Sequence, residues 1–166
     1  AAYNAMSHFT FWGGKLLFAG HIYGGTTIPW YYAPVWFCIS TPLLWLPLGL
    51  SGILLILVAF FRRPLAFITN TTERNYTLYM ACFLLPVLAT IILQSVLYDD
   101  WRQLYFIYPG FVLIVLYAIN KLLETRWKKI VGALCTLQIA VLIFFMIKSH
   151  PFQQVYFNEL VSHKDE

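Results

Sequence analysis

The sequence predicts an all-α fold: a polytopic helical membrane protein of about four transmembrane helices with extracytoplasmic interfacial loops. Three observations carry this. Of 166 residues, 60% are hydrophobic and only 11% are charged, where a soluble domain carries roughly a quarter charged residues. The mean hydropathy of +0.70 comes from long uncharged runs, which hold more apolar surface than one small core can hide. Aromatic residues make up 19% of the chain, which excludes a disordered or low-complexity sequence. The eleven Lys and Arg do not cluster as a nucleic-acid patch would, so no nucleic-acid partner is expected.

Residues 1–33 read as an aromatic, glycine-rich extracytoplasmic loop, because the glycines and dense aromatics around Trp12, Lys15 and Trp30 do not suit a spanning helix. Residues 34–147 read as a four-span bundle, since crossing roughly 30 Å of hydrocarbon takes about 20 helical residues. The uncharged runs fall near Pro34–Phe61, Tyr76–Leu97, Leu104–Leu123 and Ile130–Ile147. With Pro34, Pro42, Pro47, Gly49 and Gly52, the start of the first run reads as a kinked or interfacial stretch rather than straight helix, and its clean spanning part is expected from about Thr41. Pro86 and Pro109 are tolerated in the second and third where neighbours satisfy the released carbonyls. Residues 148–166 form an extracytoplasmic juxtamembrane segment leading to a further C-terminal region. Past Pro151, Phe152, Val155, Tyr156 and Leu160 recur at helical spacing, which suggests a short helix on the membrane surface. The chain begins without a leader-like segment or an initiator Met, and a fragment or processed chain is expected. Cys38, Cys82 and Cys135 sit apart within apolar runs and read as inert thiols.

Orientation follows from the connections, because short loops rich in Lys and Arg stay on the cytoplasmic side. Arg62, Arg63 and Arg74 lie in one such loop, and Lys121, Arg126, Lys128 and Lys129 in the other. Both termini are then extracytoplasmic. Asn70-Thr71-Thr72 and Asn75-Tyr76-Thr77 match the glycosylation pattern but fall on the cytoplasmic side, where they are expected to be unmodified.

The remaining polar density collects in three extracytoplasmic stretches: His8 to Trp30, Tyr98 to Tyr108 and His150 to Asn158. In the first, the aromatics either form a belt at headgroup level or cover a cavity where Lys15, His8 or His21 faces an anionic ligand. In the second, Asp100 with Gln103 forms a capping box for the third span. That geometry puts Arg102 in the first helical turn, where its charge opposes the helix dipole and needs a partner. The partner is either Asp99 or a phosphate held at the membrane surface. Asp99 and Asp100 are also the only candidates for a divalent metal, as two carboxylates without further ligands. In the third stretch, His150 offers an imidazole as a candidate general acid or base.

With these residues laid out, the chain resembles the later transmembrane part of the GT-C glycosyltransferases that use polyprenyl-phosphate sugars, particularly the family 39 protein mannosyltransferase-like members. The likeness rests on His8 through Trp12-Gly13-Gly14 to Leu17-Phe18-Ala19-Gly20, and on Pro29-Trp30-Tyr31-Tyr32. Tyr98-Asp99-Asp100-Trp101-Arg102 with Tyr105 to Pro109, and His150-Pro151 with Tyr156 to Leu160, complete it. The resemblance implies transfer of a mannose-like sugar from a polyprenyl-phosphate donor to a protein or lipid acceptor, in the bacterial inner membrane or the endoplasmic reticulum. It also implies a catalytic carboxylate in an early extracytoplasmic loop. No Asp or Glu precedes Glu73, so that residue is expected in the remainder of the parent polypeptide, and this chain alone is expected to be inactive.

On this reading Arg102 and then Lys15 stabilise the phosphate leaving group, with no cofactor beyond the lipid-linked donor. Trp12, Trp30 and Tyr105 stack on a sugar or a prenyl chain. His8, His150 and Asn158 complete the substrate-binding set. The competing readings are a non-catalytic membrane scaffold subunit and a transporter, the latter disfavoured by spans whose interiors carry no ionisable residue.

Overall fold

Alternating short apolar residues give way to long apolar helices at Pro29, and the secondary structure changes there. The computed structural model describes residues 15–24, 27–93, 95, 97, 102–151 and 156–158. Two strands, β1 (Lys15–Phe18) and β2 (His21–Gly24), pair antiparallel with Lys15 opposite Gly24 and Phe18 opposite His21. Their two-residue turn has Ala19 at φ 51° and Gly20 at φ 77°, a left-handed pair whose twist matches that of the strands. The helices are α1 (Tyr32–Ser40), α2 (Trp45–Arg62), α3 (Ala66–Thr69), α4 (Thr71–Ile92), α5 (Tyr108–Leu123) and α6 (Lys128–Lys148). A 3₁₀ turn, Arg102–Ile107, runs directly into α5. Four of these segments, α2, α4, the 3₁₀ turn with α5, and α6, are long and apolar enough to cross a membrane. The chain is thus an all-α polytopic helical membrane protein with one small hairpin.

Several boundaries differ from those read in the sequence. The start of the first run is a separate short helix, α1, broken from α2 at Thr41, and the long part starts at Trp45 rather than near Thr41. Pro42 is the cause: it keeps Thr41 extended, at φ −97° and ψ 136°, because an α conformation before proline clashes. The second span begins at Thr71 rather than Tyr76 and ends at Ile92 rather than Leu97. Asn70 moves its start, since Oδ1 accepts from the backbone N–H of Thr72 at 2.9 Å and of Glu73 at 3.4 Å. The Asn70 side chain of the first glycosylation pattern is therefore occupied as a cap, and Asn75 of the second lies inside α4. The α-helical part of the third span, α5, starts at Tyr108, beyond the expected capping box, and takes Pro109 in its first turn, where no N–H is required.

Packing fixes the helix directions. A Cβ built on Gly49 or Gly52 would strike Phe111 or Ile114, so α2 and α5 run parallel in close contact. Tyr76 stacks on Tyr117 at 4.3 Å while Phe83 stacks on Phe111 at 5.2 Å, so α4 runs antiparallel to α5. One end of the bundle therefore gathers Arg62, Arg74, Lys121 and Lys128, and the other gathers α1 and the hairpin. Phe111, Ile114, Val115 and Ala118 are buried along α5, the central helix. In lipid such contacts hold through close packing rather than through water exclusion. α6 touches α5 but buries none of its own side chains.

Candidate functional site

The end carrying α1 is organised by rings. Phe37 of α1 meets Phe111 of α5 edge-on at 4.9 Å and Phe83 of α4 at 5.3 Å, a geometry that adds to simple burial. Phe18 of β1 is buried and packs edge-on against Tyr32 at 4.8 Å. This seats the hairpin on the start of α1. A side-chain hydrogen bond with Tyr31, at the N-cap of α1, then burial, pushes the Tyr23 phenol above its ordinary value.

Beside the ring cluster lies an apolar cavity of about 140 Å³. Ala33, Pro34, Phe37 and Cys38 of α1 form one wall, Phe83 and Val87 of α4 another, and Leu104 and Ile107 of the 3₁₀ turn the third. The same turn that buries Leu104 and Ile107 leaves Arg102 and Tyr105 exposed. Arg102 already makes an interaction of its own, as does Tyr105. Trp30 is 69% exposed just ahead of α1 and stands edge-on to Tyr31 at 5.8 Å. Lys15 is exposed at the head of β1. Of the expected substrate residues, Arg102 and Tyr105 sit on the turn that forms one wall of this cavity, Trp30 just precedes the helix that forms another, and Lys15 is on the hairpin, which reaches α1 through Phe18 but does not line the cavity. A cation next to an apolar slot suits an amphiphile with an anionic head.

Comparison with known proteins gives no relative: no family model matches the chain. Neither does any curated protein or solved structure.

The other expected residues fall elsewhere. His8, Trp12, Asp99 and Asp100 lie outside the described residues, as does most of the surface helix expected after Pro151. The described part of that segment, Tyr156–Asn158, is irregular rather than helical. His150 is exposed at the end of α6, on a separate cleft of about 460 Å³ shared with Ile143, Met146 and Ile147.

Asn158 has a role that the sequence reading did not foresee. It is 1% exposed, and its Nδ2 donates to the carbonyls of Cys38 at 2.6 Å and Thr41 at 2.7 Å. Its backbone N–H donates to Ile39 O at 2.8 Å. The carboxamide N–H groups expected to bind substrate instead close the C-terminus of α1, whose last carbonyls have no partner within the helix. Phe157 stacks on Trp36 at 5.9 Å and Tyr156 on Phe145 at 5.0 Å. Residues 156–158 thereby strap α6 to α1, the wall of the cavity. No spacing in the sequence signals such a long-range cap.

Asn158→Ala is expected to destabilise the fold by about 1–3 kcal/mol, since two buried carbonyls lose their donor. Asn158→Asp, which keeps the shape but cannot donate, should do the same. Thermal unfolding in mild detergent measures both, and a midpoint unchanged in both variants would show that the strap is not what closes α1.

Proposed function

We propose that this chain is the donor-lipid part of an integral-membrane glycosyltransferase that moves a mannose-like sugar from a polyprenyl phosphate to a protein or lipid acceptor. The carrying observation is the junction of the apolar cavity with the Arg102–Ile107 turn. The prenyl chain enters between α1, α4 and the turn, where the lining is apolar. Arg102, at the start of the same turn, holds the phosphate and stabilises the charge that grows on it as the glycosidic bond breaks. Lys15 adds a second positive charge from the hairpin, and Trp30 and Tyr105 offer faces to a sugar or an isoprene unit. The ring-rich end is extracytoplasmic on this reading, because Arg62, Arg63, Arg74, Lys121, Arg126, Lys128 and Lys129 all collect at the opposite end. The described carboxylates, Glu73 and Glu124, lie at the opposite end of the bundle, so on this reading the chain alone binds the donor lipid without transferring sugar.

Cys38 reports on the cavity because it lines the wall. Farnesyl phosphate, a short stand-in for the donor lipid, is expected to slow maleimide modification of Cys38 and to leave Cys135 on α6 untouched. Farnesol should need about tenfold higher concentration for the same protection, the worth of one charge-assisted contact. Equal protection by the two would leave an apolar slot without phosphate recognition and favour the scaffold reading; no protection by either would remove the cavity from the function.

A further inference from the structure

The opposite end of the bundle carries chemistry that donor binding does not use. Helix directions bring Arg62 and Arg63 at the end of α2, Arg74 in the first turns of α4, and Arg126, Lys128 and Lys129 at the start of α6 to one rim. Arg62, Arg63, Arg126, Lys128 and Lys129 are all exposed. The described carboxylates there are Glu73 and Glu124, and Glu124 is taken by Lys121 at 3.2 Å. Large apolar side chains stand among these cations. Phe61 is 77% exposed, Leu65 73% and Ile68 70%, the last two flanking or within α3. Trp127 is half exposed and lies under the Arg126 guanidinium at 5.2 Å.

We propose that this rim is a binding surface for anionic phospholipid headgroups. Water would not tolerate Phe61, Leu65 and Ile68 together on one exposed edge, whereas the acyl boundary of a leaflet accepts them and brings the neighbouring guanidinium and ammonium groups level with the phosphates. Each Lys or Arg near an anionic leaflet adds to the attraction. The Arg126–Trp127 stack suits the same depth, an indole at the interface with its cation toward the headgroups. Charge complementarity commits the surface to a lipid with net negative charge, and the apolar wedge commits it to a lipid rather than to a soluble anion.

The test offers the purified full chain, in mild detergent, equimolar phosphatidylglycerol and phosphatidylcholine, and counts bound lipid by native mass spectrometry. Phosphatidylglycerol is expected to be preferred about tenfold. Arg62→Gln, Arg63→Gln, Lys128→Gln and Lys129→Gln combined should bring the preference close to unity. Lys148→Gln, at the other end, should leave it unchanged. Raising salt to about 0.5 M should lower the preference severalfold in the unaltered protein, which needs no variant to fold. Equal occupancy by the two lipids, or a preference untouched by both the fourfold variant and salt, overturns the proposal. Displacement of phosphatidylglycerol by inorganic phosphate or by an acidic peptide also overturns it, because a soluble anion would then satisfy the surface.

Discussion

Gly52→Leu is expected to abolish the native bundle. A Cβ at this position would sit 2.6 Å from the backbone carbonyl of Ile114 and 2.7 Å from its Cγ2. A flexible side chain can swing away from such a clash, but a carbonyl within the central helix cannot. α2 and α5 would have to part, and Gly49, one turn earlier and against the ring of Phe111, would lose its contact as well. Overpacking of a well-filled core costs roughly 1–3 kcal/mol even where side chains can adjust. Here there is no hydrophobic term to pull the helices back, because lipid solvates the separated faces as well as the partner helix does. The expected result is aggregated or protease-sensitive protein in mild detergent, with no cooperative thermal transition. Gly132→Leu provides the comparison: on α6 nothing lies within 4 Å of the added Cβ, and the transition should be unaffected. A native midpoint for Gly52→Leu would mean that α2 and α5 do not pack as described.

Arg102→Ala should lower the affinity for farnesyl phosphate on the order of tenfold to a hundredfold, the range for losing a hydrogen bond to a charged group, while affinity for farnesol stays as it was. Lysine should restore only part of the loss, because a point charge does not reproduce the two-pronged guanidinium contact. Arg102 also has a contact within the protein, so the thermal midpoint is measured beside the affinity. If farnesyl phosphate and farnesol binding fall together with the midpoint, the residue shapes the 3₁₀ turn and the phosphate role is lost. Preserved folding with selective loss of the phosphorylated ligand supports it.

How much of this was legible in the sequence depends on the range of the interaction concerned. The four spans were legible because a run of uncharged residues is a local property, and α6 differs from its expected bounds by only two residues at its start and one at its end. Helix starts were less so. Asn70 carries a cap visible in Asn-Thr-Thr-Glu, but the polar composition of that stretch reads equally as loop. The hairpin was missed because Ala-Gly is a far poorer turn signal than Asn-Gly, and four-residue strands leave little periodicity to detect. The site divides in the same way. Arg102 and Tyr105 stand out as polar residues at the mouth of an apolar run, whereas the cavity between α1, α4 and the turn depends on contacts among residues dozens of positions apart. Asn158 stands out in the sequence as a polar residue, but its place as an interior cap depends on Cys38 and Thr41, more than a hundred positions away, and a residue bound for such a cap looks, in a list of letters, like one bound for a ligand.

The cap on α1 also sets an order of assembly. Its donor, Asn158, follows Thr41 by 117 residues. At synthesis rates of about 5–20 residues per second, roughly 6–25 s separate the emergence of the two. During that interval α2, α4 and α5 can already have met through Gly49, Gly52 and Gly110, while α1 waits beside them with its last carbonyls exposed. Capping of α1 therefore follows the meeting of α2, α4 and α5, and a ribosome that stops before residue 158 releases a bundle whose first helix still lacks its C-terminal donor.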